Sequence, residues 1–127
     1  MLVLDSGAVS MLADQSKSQA RALLAVLTIE DLWPPVVPSA VLVECLTGRP
    51  GRDAMTNKFL KSCDVEERLS RGIARRAAGL RREAGRGSAV DAIVVASAEP
   101  DGGVVTGDAA DINALAAVSD GVTVMTV

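Results

Sequence analysis

The chain has 127 residues, a formal net charge of −3, 49% hydrophobic residues and only 2% aromatic residues. A chain of this length is typical of one domain that buries roughly two thirds of its unfolded surface, so we expect a single domain over residues 1–127. The sequence contains no histidine, which excludes Ser-His-Asp and Cys-His nucleophilic triads, histidine acid–base pairs and the usual zinc sites.

The first half of the chain predicts two strands separated and followed by helices. The opening strand runs directly into Asp5, as a buried parallel strand does when its carboxyl end carries chemistry. The pattern Ser16-Lys17-Ser18-Gln19 has the form of a capping box at the start of a helix. The predicted elements of this half are, in order, a strand at 1–4, a short helix with Val9, Met11 and Leu12, a helix over about 17–28, a strand at 36–37, a helix that starts at Pro38-Ser39 and ends near Gly48, and a helix around 53–62.

The second half continues the alternation of strands and helices. Its predicted elements are a weak strand near Val65, an amphipathic helix over 68–85, a helix over 88–96 that is apolar on nearly all sides, a strand at 104–105, a helix that begins at Asp108, and a strand at 122–125. Strands that alternate with helices are typical of an α/β fold. We therefore expect a sandwich with a central parallel sheet of about five strands, flanked by helices.

Membrane and redox features are sparse in this sequence. The longest apolar runs are far shorter than the roughly 20 residues of a membrane span, and the first residues lack the basic start and cleavage site of a signal peptide. We therefore expect a cytoplasmic protein. Cys45 and Cys63 are too few for a disulfide framework and have no metal-ligand spacing, so we expect free, buried thiols.

Four carboxylates occupy positions where a parallel sheet forms its ligand site. Asp5 and Asp108 follow predicted strands, and ligands of open parallel sheets bind at the carboxyl ends of strands, near the point where strand order reverses. Glu44 and Asp91 lie on two helices whose starts we expect at the same edge. Carboxylates without histidine or cysteine partners suit Mg²⁺ or Mn²⁺. The sequence therefore predicts a hard-metal site.

Each of these acids also has a purely structural interpretation. Asp91 stands three residues after Ser88, which is capping-box spacing, and Asp108 with Asp111 could be a helix cap and an acid that favours the helix dipole. Asp5 could likewise cap the first helix, and Glu44 could lie on a solvated face. The remaining acids stand among polar or turn residues, and we expect them on the surface: Glu30, Asp31, Asp53, Glu66, Glu67 and Asp101.

A basic segment precedes Asp91. Between residues 68 and 86 the chain has seven arginines and one acid, Glu83. Four of the arginines recur at helical spacing and form what we call the arginine stripe: Arg68, Arg71, Arg75 and Arg82. Arginine guanidinium groups match phosphate oxygens, so a nucleic-acid backbone is one interpretation of the stripe. A solvated helix face is the other.

In chain order, Asp5, Glu44, Asp91 and the run Thr106-Gly107-Asp108-Ala109-Ala110-Asp111 resemble the PIN-domain ribonucleases, and more narrowly the VapC toxins of prokaryotic VapBC toxin–antitoxin systems. The resemblance extends over essentially the whole chain. It implies a PIN-like sandwich whose first strand is central in the sheet. One departure is Gly7, where the family usually places Ser or Asn, and we expect a hydrogen bond that supports the metal ligands to be lost there.

The resemblance implies Mg²⁺- or Mn²⁺-dependent endonucleolytic cleavage of RNA. Asp5, Asp91 and Asp108 would hold the metal, and Glu44 would position a water there or act as a base. Asp111 would orient these ligands or bind a second ion. Thr106 and Ser6 would supply hydroxyl hydrogen bonds.

The resemblance also implies partners. A VapB-type antitoxin and a second copy of the chain, in a homodimer, are expected beside the RNA substrate. Within the arginine stripe, Arg71, Arg75 and Arg82 would contact either the RNA or the antitoxin.

Two other functions remain open from the sequence. One is a catalytically silent PIN module that acts through protein binding. The other is a magnesium-dependent phosphatase or phospho-receiver domain, which would also carry Asp at strand ends. That class requires a D-x-D after the first strand or a Lys after a late strand, and neither is present.

Overall fold

The computed structural model describes residues 1–127 as a five-stranded parallel sheet flanked by seven helices. The predicted α/β class and the number of strands are confirmed. The elements are β1 (Leu2–Leu4), α1 (Ser6–Ala13), α2 (Ser18–Ile29), β2 (Val36–Pro38), α3 (Ser39–Cys45), α4 (Pro50–Leu60), β3 (Asp64–Glu66), α5 (Arg71–Ala84), α6 (Ala89–Ala98), β4 (Gly103–Thr106), α7 (Ala109–Ala117) and β5 (Thr123–Thr126).

The first strand is the centre of the sheet. The strands lie in the order β3-β2-β1-β4-β5, and the register places Val3 beside Val36 on one side and Val104 on the other. The chain adds β2 and β3 in one direction from β1, and then returns to add β4 and β5 in the other. Strand order therefore reverses between β1 and β4, and their carboxyl ends form the topological switch point of the sheet.

Most helix contacts fall into two groups. Helix α1 packs against α2, α3 and α4, whereas α5, α6 and α7 pack together, and α3 also contacts α6. Because parallel strands are joined by right-handed crossovers, connections that run in opposite directions along the sheet lie on opposite faces. The sheet thus has α1–α4 on one face and α5–α7 on the other, and both faces of its central strands are buried.

The core consists of small and branched aliphatic side chains, as the shortage of aromatic residues predicts. A cluster of 25 buried residues includes Val3, Leu4, Val104 and Val105, none of which has solvent-exposed surface. Strands buried on both faces are continuous apolar runs in sequence.

The ends of four helices differ from the predictions. Helix α5 begins at Arg71 with Ser70 as its N-cap, three residues after the predicted start, so Arg68 of the arginine stripe lies outside the helix. Lys17 is the N-cap of α2 without a side-chain hydrogen bond, and Ser16 instead donates its hydroxyl to Asp14 at 2.5 Å, so the predicted capping box is wrong. Helix α3 ends at Cys45, three residues before Gly48. Helix α4 begins at Pro50, within a stretch expected to be a turn. Short polar side chains and Pro-Gly pairs serve both turns and helix starts, which explains these differences.

None of the seven helices has the length and apolar character that a membrane crossing requires.

Candidate functional site

The Asp5 carboxylate is buried at the carboxyl end of the central strand. Only 5% of the residue is exposed, and it is the N-cap of α1, where Oδ1 accepts a hydrogen bond from the Ala8 N–H at 2.8 Å. The Gly107 N–H donates to the same oxygen at 3.2 Å, and the Thr106 hydroxyl donates to Oδ2. Asp5 therefore caps the first helix, and it also joins β1 to the end of β4.

Thr106 connects Asp5 to Asp108 across the switch point. The threonine is fully buried at the end of β4, and its hydroxyl also accepts a hydrogen bond from the Asp108 N–H at 2.8 Å. Asp108 is the N-cap of α7, but its side chain makes no capping hydrogen bond and is exposed. Asp108 and Asp111 therefore have the predicted positions of N-cap and first-turn acid, but the Asp108 carboxylate makes no capping bond and accepts no hydrogen bond.

Gly7 allows the two chain segments of the switch point to touch. A Cβ on Gly7 would stand 2.8 Å from the Cα of Gly107, which is closer than real Cβ contacts. Because the family usually has Ser or Asn at this position, we expected that the glycine would cost a side-chain hydrogen bond. The structure gives a steric reason for the glycine, because Ser or Asn here would displace the backbone beside Asp5.

Asp91 lies in the first turn of α6 and is half-buried. It forms a complete capping box with Ser88: the Asp91 N–H donates to Ser88 Oγ at 3.0 Å, and the Ser88 N–H donates to Asp91 Oδ2 at 3.2 Å. Helix α6 leads directly into the start of β4, so its own start lies at the carboxyl edge of the sheet. Asp91 thus caps α6 and also lies at the carboxyl edge of the sheet, as predicted. Its Oδ1 atom accepts no hydrogen bond.

Asp111 is held by an arginine that the sequence did not connect with it. The Arg86 Nε donates to Asp111 Oδ1 at 2.6 Å, which joins the loop before α6 to the first turn of α7. The two residues are 25 positions apart, so no local spacing predicts the pair. Asp111 Oδ2 has no partner.

Glu44 lies further from the switch point than expected. It is the sixth of the seven residues of α3, roughly 8 Å along the helix from its first residue, rather than near the helix start. The residue is exposed and takes part in no ion pair. Ser6, by contrast, is the first residue of α1 and stands directly beside Asp5.

The acids suit a divalent cation in chemistry, but they are not assembled around one position. No three acidic or cysteine side chains are placed to share a metal ion. Asp5, Asp91 and Asp108 nevertheless all belong to the carboxyl edge of the sheet, and carboxylate oxygens are the ligands that Mg²⁺ and Mn²⁺ prefer. The donor types therefore fit such an ion, although the side chains are not gathered around one position in this structure.

The arginine stripe is exposed. Arg71, Arg75 and Arg82 lie on the side of α5 opposite its buried residues Ala77 and Leu80, and they form no ion pair. Their neighbour Arg76 is different, because it donates two hydrogen bonds of 2.8 Å to the Glu99 carboxylate. Three guanidinium groups are thus available to an anionic partner.

The two thiols are free and half-buried. Burial raises the pKa of the Cys63 thiol to about 11 and also raises the pKa of Cys45. Thiolates are the reactive form of cysteine, so neither residue is suited to nucleophilic chemistry at neutral pH.

One acid that we expected on the surface is buried. Asp53 is 5% exposed, and it accepts hydrogen bonds from the Thr47 N–H, the Thr47 hydroxyl and the Gly48 N–H at 2.8–2.9 Å. The expectation for Asp53 was wrong because its partners precede it in a loop that packs back onto α4. The Thr-Gly pair before Pro50 is a turn signal that could have indicated a carboxylate partner.

A scan of protein-family models finds no match to this sequence, and a search of curated proteins also finds none.

Proposed function

We propose that this chain is a Mg²⁺- or Mn²⁺-dependent endoribonuclease that acts as the toxin of a type II toxin–antitoxin pair. The observation that carries the proposal is the buried Asp5 carboxylate at the switch point of the sheet, with the exposed, unbonded Asp108 two residues beyond its partner Thr106. Switch points are where open parallel sheets bind ligands. Two carboxylates at this position suit a divalent cation, which would in turn attract a phosphodiester.

Asp5, Asp91 and Asp108 would hold the cation, directly or through water. Asp91 Oδ1 and the Asp108 carboxylate accept no hydrogen bond, so both can accept a further interaction. The Asp5 oxygens already accept hydrogen bonds from Ala8, Thr106 and Gly107, so Asp5 would exchange one of these bonds for the cation. A bound divalent cation supplies Lewis acidity toward a phosphate oxygen and a water of lowered pKa.

The chain's own residues orient the site and move the proton. The Thr106 hydroxyl and the Gly107 N–H bind the two oxygens of Asp5, which fixes the plane of that carboxylate. Glu44, the proton acceptor that the resemblance implies, lies toward the end of α3 and would receive the proton of the attacking water only through solvent. Asp111, released from or shared with Arg86, would orient the ligands. Attack of the water on phosphorus, with departure of the 3′ oxygen and its protonation by solvent, leaves a 5′ phosphate and a 3′ hydroxyl and needs no histidine.

The proposed partners come from the resemblance to VapC toxins. A VapB-type antitoxin would neutralise the protein in the cytoplasm, and the toxin would be a homodimer. The exposed arginines of α5 support an anionic partner, although an acidic protein segment and an RNA backbone share that chemistry.

The test is cleavage of structured RNA by purified protein in EDTA and in millimolar Mn²⁺. We expect cleavage only with Mn²⁺, and we expect Asp108→Asn to reduce the rate by roughly 10- to 100-fold or more, because it removes a ligand charge. Asp108 is exposed and unbonded, so this variant should keep the parent Tm.

Asp120→Asn is the matched control, since Asp120 is an exposed acid in the turn before β5, at the opposite edge of the sheet. It should cleave like the parent. Cleavage by Asp108→Asn at the parent rate would contradict the site assignment.

A catalytically silent module that acts through protein binding is the second candidate. The bonds of Asp91 to Ser88 and of Asp111 to Arg86 favour it, because these acids already have structural partners. If the purified protein binds an antitoxin tightly but shows no Mn²⁺-dependent cleavage of any structured RNA, this candidate is preferred.

A further inference from the structure

A depression of about 390 Å³ lies at the corner where α5 meets α6. We call it the arginine corner, and it is lined by Arg81, Arg82, Gly85, Arg86 and Gly87. Neither an apolar nor an acidic side chain lines it. A concave surface lined only by arginine and glycine residues is chemically suited to an anion.

The backbone of the arginine corner is held in a conformation that requires glycine. Gly85 has φ 68°, and its N–H donates to the Arg81 carbonyl at 2.9 Å to end α5. Gly87 has φ 100°, and a Cβ there would stand 2.7 Å from Leu115 Cδ1. Around the Cβ position of Gly85, by contrast, there is open space, so a ligand can approach the backbone closely.

The three guanidinium groups retain free donors. Arg81 uses Nε to donate to the Gly87 carbonyl at 3.2 Å, and Arg86 uses Nε for Asp111. Arg82 has no protein partner. The terminal nitrogens of all three are therefore available, and only one of the three positive charges is paired with an acid. Glu83, on the same helix, is exposed and also unpaired.

The arginine corner belongs to the same edge of the sheet as Asp5 and Asp108. Helix α6 runs antiparallel to β4, and α5 ends five residues before α6 begins. The corner is thus at the carboxyl edge, and the Arg86–Asp111 ion pair connects it to the first turn of α7. The Arg86–Asp111 pair therefore links the corner to the helix that follows Asp108.

We propose that the arginine corner binds one backbone phosphate of the RNA substrate, a role that rests on the proposed function and deepens it. Because the chain has almost no aromatic residues, we expect it to bind RNA through phosphate contacts rather than base stacking. An acidic protein segment is the competing occupant. Peptide segments usually bind through apolar side chains that enter apolar pockets, and no apolar side chain lines the arginine corner. A phosphate is therefore favoured over a protein segment.

The test is the affinity for a fluorescently labelled oligoribonucleotide, measured by anisotropy in EDTA over a series of salt concentrations. We expect the double variant Arg81→Ala with Arg82→Ala to bind roughly tenfold more weakly, with the slope of log affinity against log salt reduced by about 0.7 for each lost phosphate contact. The double variant Lys58→Ala with Lys61→Ala is the matched control, since both lysines are exposed at the end of α4, which leads into the start of β3 at the opposite edge of the sheet. It should change affinity less than twofold.

Several results would overturn the proposal. These are a parent that does not bind the oligoribonucleotide, an equal loss of affinity in both double variants, and an unchanged affinity in the corner variant. Polyglutamate, as a probe for an acidic protein segment, tests the competing occupant. If the corner variant loses polyglutamate binding but keeps RNA binding, the arginine corner is a protein-docking surface instead. Because affinity is measured in EDTA, corner-dependent binding by a protein that never cleaves RNA would contradict only the proposed function.

Discussion

Two glycines set the distance between α1 and the strand end that leads to Asp108. A Cβ on Gly7 would lie 2.8 Å from the Gly107 Cα, and one on Gly107 would lie 2.9 Å from the Gly7 Cα. The two backbones therefore touch beside the bonds that Asp5 makes with Thr106 and Gly107. Any side chain at either position must move one backbone away from the other, and the carboxylate would lose its hydrogen-bond donors.

We expect Gly7→Ala to lower the free energy of unfolding by about 1–3 kcal/mol, because the added methyl group overpacks a contact between two backbones. Urea unfolding measures this change.

Gly79→Ala is the control for that substitution. Gly79 lies inside α5, and there is open space around its Cβ position, so alanine should stabilise the protein by about 0.5–1 kcal/mol through helix propensity. If Gly7→Ala raised the free energy of unfolding as Gly79→Ala is expected to, the close contact between the Gly7 and Gly107 backbones would be contradicted.

The loop between α3 and α4 is held in place by hydrogen bonds to a single carboxylate, that of Asp53. Asp53, in the first turn of α4, accepts its hydrogen bonds from Thr47 and Gly48, which precede the helix. The sequence predicted a helix from about residue 53 and a turn before it. Helix α4 in fact begins at Pro50, because proline is well suited to the first position of a helix, where its missing N–H is not needed. Asp53 is therefore inside the helix, where it can reach back to the loop.

We expect the Asp53 carboxylate to make the thermal stability of the protein depend on pH in the acidic range. The Thr47 N–H, foremost among its donors, lowers the pKa of Asp53 below its ordinary value of 3.8. A carboxyl whose pKa is lower in the folded state stabilises the protein above the unfolded pKa, and this contribution is lost as pH falls through the folded pKa. We expect Asp53→Asn to lower the Tm at neutral pH, with a difference from the parent that shrinks as the pH falls below 3.8. Thermal unfolding over a pH series measures it.

Asp64→Asn serves as the comparison, because Asp64 is exposed and its side chain forms no ion pair. It should leave the Tm nearly unchanged at every pH. A Tm difference for Asp53→Asn that stays constant from neutral pH to the acid limit would contradict the assigned role of the charge.

At the scale of the whole molecule, the order of strands concentrates negative charge at one edge. The reversal between β1 and β4 brings Asp5 and Asp108 to the same switch point, and α6 begins at that edge with Asp91. Like charges that share a site repel one another, so a cation that binds there should stabilise the folded state more than the unfolded chain.

We therefore expect millimolar Mg²⁺ or Mn²⁺ to raise the Tm of the parent. A ligand at about 100 times its Kd stabilises a protein by about 2.7 kcal/mol, which is readily measured by calorimetry. The rise should be absent or much smaller in Asp108→Asn.

Sodium chloride at the same ionic strength separates a specific site from general screening. An equal rise with sodium chloride, or no rise at all with either divalent ion, would argue against a metal site at the switch point.

The order of elements, the fold class and the position of Asp5 at the end of the first strand were available from the sequence alone, because apolar periodicity and strand–helix alternation are local properties of the chain. A carboxylate directly after a continuous apolar run indicates a strand end whatever the rest of the fold. The partners of the acids were decided only by the tertiary structure. Ser88 holds Asp91 at short range, but Arg86 reaches Asp111, and Thr106 reaches Asp5 from the other end of the chain. Hydrogen bonds and ion pairs depend on distances between residues remote in sequence, and only the packed sheet and helices set those distances.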